Sequence, residues 1–299
     1  MPQTIAKVEQ TLEWMRANRI WPNGMRYLWT DAFGVVLLVS LYRALERGQF
    51  LDQARWVVAE VERVLGRRRG FRIGEAPDRD GQYYHYLAMW VYALSRLGKI
   101  DPVYRAKAVR LVKDIHSAFV IPGRGVHWKM REDLSAPYSG FGLGALDHFH
   151  GYVVYRLLDE AALAGEIGQM KLLVERSFQD LAISQDLGLG MMLWMTHFFP
   201  EEEWARVQRD RSLKMLDRLW IDPPGYFCRE PAMPEVKFAF TNYGVSIGLQ
   251  AVEAWPERVA RLNSYFERYR SGDEYDFDAI THVMACGASF PGEFIAGGE

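Results

Sequence analysis

"APDRDGQYYHYLAMWVYAL", residues 76–94, sets Tyr83, Tyr84, His85 and Tyr86 at consecutive positions and follows them with Trp90 and Tyr92. A helix on a protein surface keeps one solvated polar face and one apolar stripe. Consecutive residues of a helix step about 100° around its axis, so these four rings point in nearly every direction. The stretch predicts a helix enclosed by protein along most of its length. Its first turn should open on a wetter space, where Tyr and His tips find water or a ligand.

The same contrast sorts the rest of the chain. A 3.6-residue periodicity predicts helices near 2–18, 28–46, 50–66, 82–98, 102–120, 142–164, 168–185, 190–199, 202–219, 240–254, 256–270 and 276–288. One kind is apolar nearly all round, as in "WTDAFGVVLLVSLYRAL", "GLGALDHFHGYVVYRLL", "LGLGMMLWMTHFF", "FTNYGVSIGLQAV" and "FDAITHVMACGASF". The other is amphipathic, as in "LDQARWVVAEVERVLGR" and "EEWARVQRDRSLKMLDRLW". Six buried helices alternate with six surface helices once the opening "QTIAKVEQTLEWMRA" is counted. The alternation predicts an all-α fold, an (α/α)6 barrel with six inner and six outer helices, as a single domain over 1–299. A small hairpin around "GVHWKMRED", 125–133, is the one expected β element.

Loop lengths choose a working face. Passages from a buried helix to the next surface helix are short, as at "ERGQF", "GKIDP", "FPEEE" and "AWPER". Passages back are mostly long: "RIWPNGMRYL", "RRRGFRIGEAPDRDG", "IPGRGVHWKMREDLSAPYSGF" and "IDPPGYFCREPAMPEVKF". In a ring of this kind the long loops gather beside the N-termini of the inner helices, and loops on a rigid scaffold carry function.

Composition narrows the class. Lys and Arg number 36 against 38 Asp and Glu, a near-balance that offers no attraction to nucleic acid. The opening residues lack the apolar centre of a signal peptide, and the run "AFGVVLLVSLY", 32–42, is shorter than a membrane span. Cys228 and Cys286 form neither a disulfide framework nor a metal motif. These features predict a soluble protein in a reducing, cytoplasmic setting, with neither nucleic acid nor a membrane as partner. Oligomeric state is not legible.

With its paired helices and segments such as "WTDAFGV" and "DGQYYHYLAMW", the chain resembles the six-hairpin glycosidase-like superfamily. That superfamily includes glycoside hydrolases, unsaturated-uronyl hydrolases and the acylglucosamine 2-epimerase group. The resemblance spans nearly the whole chain and matches no characterised subfamily's signature. It implies the barrel and a sugar substrate; in the epimerase group, barrel histidines move the proton beside a carbonyl.

Three carboxyls stand at the start of buried helices: Asp31 in "LWTDAF", Asp80 in "DRDGQYY" and Asp147 in "LGALDHFH". Glycosidases use two, one to protonate the leaving oxygen and one to activate water or attack the sugar. Asp near a helix N-terminus also serves as a cap, the stronger reading for Asp80, whose place Asp78 could take. Thr30 is available to cap the helix that holds Asp31. Asp147 shares a face with His150, either as an acid–base couple or as a buried carboxyl satisfied by imidazole.

His85, His148, His150, His197 and His282 all fall in buried-type helices, a skew that keeps isomerase chemistry in view. No two histidines have the four-residue spacing of a zinc helix, so no metal is expected. "GRRRGFR" contributes Arg72, and Arg26 and Arg229 lie on other long loops; such residues can grip an anionic sugar or remain solvated. Trp29, Tyr83, Tyr84 and Trp128 offer faces for sugar stacking, or simply pack. Asn242, Tyr243 and His282 are candidate partners for hydroxyls.

The first reading is a glycoside hydrolase with Asp31 and Asp147 as acid and base, Asp80 next, and His85 and His150 orienting them. The second is a sugar epimerase driven by the histidines. A ligand-binding toroid without catalysis is the third, and a cyclase of an apolar substrate, suggested by "GMMLWMTHFF", the fourth. No organic cofactor is expected, since no phosphate-cradling Gly-rich motif follows a strand.

Overall fold

The computed structural model describes residues 2–220, 227, 239–268, 272 and 274–297. Helices α1 (Pro2–Ala17), α2 (Leu28–Leu45), α3 (Gly48–Leu65), α4 (Tyr84–Gly98), α5 (Pro102–Phe119) and α6 (Asp147–Asp159) make up the first half. The rest are α7 (Ala164–Ser177), α8 (Asp186–Thr196), α9 (Glu203–Leu219), α10 (Ala239–Ala251), α11 (Pro256–Arg268) and α12 (Ala279–Ser289). The strands are two-residue pieces: β1 (Gln82–Tyr83), β2 (Val120–Ile121), β3 (Gly125–Val126) and β4 (Lys129–Met130). The chain divides into two compact units, one of Met25–Phe178 and one of Met1–Gly24 with Gln179–Glu299.

In the unit of Met25–Phe178, α2, α4 and α6 form an inner row, α4 touching both others, and α3, α5 and α7 each back one of them. Burial follows the two sequence patterns. α2 is buried at every position from Leu28 to Leu41. α3 buries Phe50, Leu51, Ala54, Val57, Val58, Val61 and Leu65, the three-and-four spacing of one stripe. Each fully buried Val, Leu or Phe contributes about 1.5–3 kcal/mol relative to exposure. By length and composition α2 could cross a membrane, but 78% of it is buried inside the protein, as in a core helix. Asp101 caps α5, accepting from the Val103 amide at 3.3 Å, with Pro102 at the first helical position.

The other unit repeats the scheme with α8, α10 and α12 inside and α9, α11 and α1 behind them. α8 and α10 meet backbone to backbone: a β-carbon at Gly190 would collide with the Gly244 carbonyl, and one at Gly248 with the Gly190 carbonyl. Trp194 of α8 is buried and donates to the Phe294 carbonyl at 2.7 Å.

Several boundaries depart from expectation. Expected over 142–164, α6 begins only at Asp147, because the preceding residues pair elsewhere: Gly144 N–H bonds the Val126 carbonyl and Gly142 accepts from Trp128. Expected over 168–185, α7 runs from Ala164 and stops at Ser177; α8, expected from 190, starts at Asp186. The expected hairpin at 125–133 is split. β3 pairs back with β2 across a turn in which Gly123 holds φ 68°, while β4 pairs with β1 in the register Gln82↔Met130 and Tyr83↔Lys129. The loop before α4 is thereby laced to the loop before α6.

Candidate active site

That lacing builds an aromatic wall at the start of α4. Tyr83 stacks on Trp128 with centroids 5.5 Å apart and planes at 10°, and on His85 at 5.6 Å and 17°. Trp29, in the first turn of α2, lies edge-on to His85 at 5.8 Å and touches Tyr86. Tyr27 and Tyr86 share a hydrogen bond of 2.7 Å between their hydroxyls. Trp128 is 38% exposed, whereas Trp29 is buried beneath the wall.

The wall carries an imidazole and a carboxyl. Trp128 donates its indole N–H to His85 Nδ1 at 3.2 Å. Indole is a donor only, so Nδ1 accepts and the neutral ring keeps its proton on Nε2. Asp147 Oδ1 lies 3.6 Å from the same Nδ1, close enough for charge to be felt and too far for a hydrogen bond. Oδ1 is buried with no hydrogen-bond partner among the described residues. Burial holds the Asp147 carboxyl above the usual carboxylate range, against the opposing pull of His85. A β-carbon at Gly144 would collide with the Asp147 carboxylate, so the glycine makes room for it.

Asp31 stands in the same unit, fully buried, with Oδ1 3.0 Å from a guanidinium nitrogen of buried Arg26. Thr30 does not cap α2: the helix starts at Leu28, after an extended Tyr27 with no side-chain cap, and the Leu28 amide bonds the Ile73 carbonyl. Asp80 is a loop staple. It accepts from the amides of Ile73 at 3.0 Å, Gly74 at 3.2 Å and Gly81 at 2.8 Å, and from Arg72 at 2.5 Å. Arg72 is thus committed to Asp80 and to the Val64 carbonyl at 3.4 Å. Tyr84 points into the core, its hydroxyl 2.6 Å from that of Tyr155.

His150 and His148 sit behind Asp147 on α6. Burial lowers them to about 3 and about 4, so both are neutral imidazoles at ordinary pH. His148 Nε2 lies 2.7 Å from the Ser177 hydroxyl. His85, its side chain 23% exposed, is the imidazole beside the buried carboxyl.

The remaining candidates fall in the other unit. Asn242 joins a buried cluster at the start of α8 and α10, where Asp186 accepts from Thr241 at 2.5 Å, from Asn242 at 3.3 Å and from the Leu187 amide at 2.8 Å. Burial raises the Asp186 carboxyl above its usual range. Tyr243 and His282 line a cavity of about 420 Å³ bounded by α1, α10 and α12. Arg229 lies outside the described residues.

Several site residues escaped the sequence. Lys129 is buried, its ammonium 4.8 Å from the centre of Tyr83, 4.2 Å from Tyr138 and 5.0 Å from Phe141, and it donates to the Arg79 carbonyl. Gln82 donates to the carbonyls of Arg69 at 2.9 Å and Glu132 at 2.6 Å and accepts from the Phe71 amide at 3.0 Å. A lysine in a loop signals nothing in a one-dimensional pattern. Asp186 was placed between two helices, so its position in the first turn of α8 did not register. Among the described residues no group of His, Cys, Asp or Glu is arranged to hold a metal ion.

No family profile and no curated protein sequence matches the chain. Solved structures do. The GH76A alpha-1,6-mannanase from Salegentibacter sp. HEL1_6 superposes with a TM-score of 0.60 at 11% identity, over 95% of this chain and 98% of its own. Cellobiose 2-epimerase from Bacillus thermoamylovorans B4167 gives 0.54 at 10% identity, over 86% and 74%. The cellobiose 2-epimerase from Spirochaeta thermophila DSM 6192 gives 0.54 at 16% identity, over 86% and 73%. At these identities the likeness shows the fold alone, and the fold is the expected one, an all-α (α/α)6 barrel.

Proposed function

We propose that the protein is a carbohydrate-active enzyme, a glycoside hydrolase in which Asp147 is the proton donor. One observation carries this reading: a buried carboxyl with a raised pKa and an unpartnered oxygen, set against an imidazole in an aromatic wall. A glycosidase acid must hold its proton near neutral pH and release it to the leaving oxygen as the C–O bond breaks, and burial favours that state. Trp128 and Tyr83 supply flat faces for the C–H side of a sugar ring. Asp31, in its ion pair with Arg26, is the second carboxyl of the proposal. Arg26 and Arg72 are engaged by Asp31 and Asp80, which favours a neutral sugar over an anionic one. The reading takes residues 1–299 as one catalytic domain working in a reducing, cytoplasmic setting.

Epimerisation is the second reading, supported by the part-exposed His85 beside a carboxyl, an arrangement able to move a proton next to a carbonyl. The solved structures that share the fold carry both kinds of name.

Mass spectrometry of the products from cellobiose and α-1,6-mannobiose, formed in heavy-oxygen water and separately in deuterated water, separates the two. Heavy oxygen in a cleaved product is the expected result. Deuterium gained without cleavage would replace hydrolysis by epimerisation, and neither label in any product would remove both.

A further inference from the structure

The cavity that receives Tyr243 and His282 has no part in the proposed mechanism, and every residue lining it belongs to the unit of Met1–Gly24 with Gln179–Glu299. Its walls come from two helix stripes. Thr4, Lys7, Thr11 and Trp14 recur at three- and four-residue spacing along α1, and Thr281, Ala285 and Ser289 recur every four residues along α12 with His282 beside the first. From Thr4 to Trp14 the α1 stripe runs about 15 Å. At about 420 Å³ the space falls within the range of small-molecule sites, roughly 300–1,000 Å³.

The lining has a definite chemistry. Thr4, Gln10, Thr281 and Ser289 carry hydroxyl or amide groups that make no hydrogen bond to other described residues. Such groups both donate and accept, as a sugar's hydroxyls do. Lys7 and Asp276 are the fixed charges among the described lining residues, one of each sign, so the cavity selects neither an anion nor a cation. Its lip is aromatic: Trp14 is 37% exposed, stacks on Phe277 at 6.2 Å and meets His282 edge-on at 4.8 Å. His282 is itself anchored, donating Nε2–H to the Asp276 carbonyl at 2.7 Å. Flat apolar rings beside neutral donors and acceptors form a surface for a pyranose face.

We propose that this cavity is a second sugar-binding site, taking a neutral oligosaccharide and holding chains apart from the Asp147 centre. The choice of ligand class rests on the carbohydrate reading above. The site performs no bond chemistry; it binds the sugar by stacking and hydrogen bonds alone. Disaccharide turnover should therefore be equal with or without it.

Calorimetric titration of an Asp147→Asn protein with cellobiose and α-1,6-mannobiose tests this, repeated after adding Trp14→Ala or, separately, Thr281→Val with Ser289→Ala. The second pair keeps the helix packing and removes only hydroxyls. One binding event should weaken by about tenfold or more in both backgrounds, with melting temperatures close to the parent. Identical isotherms in parent and variants, or no binding of either sugar to the parent, would overturn the site. Trp14-dependent binding without labelled product from wild type would sink the hydrolase reading and leave the site standing. Turnover without Trp14-dependent binding would do the reverse.

Discussion

Asp147 and His85 face each other across 3.6 Å, the carboxyl buried and the imidazole half-open, with the Trp128 indole N–H occupying the ring nitrogen that Asp147 approaches. The geometry leaves a carboxyl oxygen without a partner in an apolar wall, which favours its protonated form. Asp147→Asn keeps the shape and removes the proton donor. Turnover should fall by about 10²–10⁴-fold. Ionising a buried carboxyl costs stability as pH rises from the ordinary carboxylate range through its raised pKa, so the amide variant should lose that decline and be at least as stable at pH 7. Wild-type activity should decline over the same rise in pH, as the proton donor ionises. Denaturant melts and a pH–rate profile of both proteins check this; a variant that unfolds readily would make Asp147 structural instead.

Arg26 and Asp31 form a buried ion pair at 3.0 Å, with side chains 4% and 0% exposed. Removing one partner strands a charge, at a cost of about 3–5 kcal/mol. Asp31→Asn and Arg26→Met should each lose stability of that order in urea melts, while the Arg26→Met, Asp31→Leu double variant should recover much of it. The recovered fold is the right background for asking whether Asp31 is the second carboxyl. It should be inactive; turnover there would release Asp31 from the mechanism.

Lys129 ties the wall together from behind, its ammonium enclosed by Tyr83, Tyr138 and Phe141. A cation held against rings contributes about 0.5–1 kcal/mol where exposed and about 2 kcal/mol where desolvated, and Arg can stand in for Lys over such faces. Lys129→Met should let Tyr83 and Trp128 shift, lowering kcat/KM by about tenfold with a change in tryptophan fluorescence. Lys129→Arg should restore part of it. Equal activity in all three proteins would reduce Lys129 to packing.

The fold was legible because its signal is one-dimensional. All-round burial of α2 and the single stripe of α3 are both written in residue order. Tyr83 and His85 were legible for the same reason, since aromatic side chains crowd the start of one helix, whereas Trp128 joins them from the segment between β3 and β4. What escaped depends on who meets whom. Nothing local separates Asp80, consumed by three loop amides and Arg72, from Asp147, left with a bare oxygen. The register that sets Lys129 against Tyr83 is likewise fixed by pairing between distant loops.

Gly144 illustrates the same point as a prediction. Its missing side chain is where the Asp147 carboxylate lies, and any β-carbon there collides with it. Gly144→Ala should displace the carboxyl, costing about 1–3 kcal/mol of stability as overpacking does, together with most of the turnover. A crystal structure of the variant with Asp147 unmoved, or wild-type kinetics, would refute the fit.

His148 and His150 set the acid behaviour. Both are buried and neutral in the fold, at about 4 and about 3, whereas an unfolded chain protonates them near 6.5. Below that pH the unfolded state binds more protons, so stability falls as pH drops, down to about 4 for one and about 3 for the other. Each can contribute up to about 1.4 kcal/mol per pH unit within its window. Asp147 acts in the opposite sense, because its folded pKa is raised and the fold gains protons there sooner than the unfolded chain. Buried His116 is lowered in the same sense as His148 and His150, and Asp186 is raised like Asp147. Near pH 5 the histidines should dominate, because the unfolded chain binds close to a full proton at each of them and little at a carboxyl. Urea melts from pH 7 to pH 4 should show the decline, and His150→Asn should flatten it by about the contribution of one group. An unchanged slope would mean that His150 is already protonated, or solvated, in the folded protein.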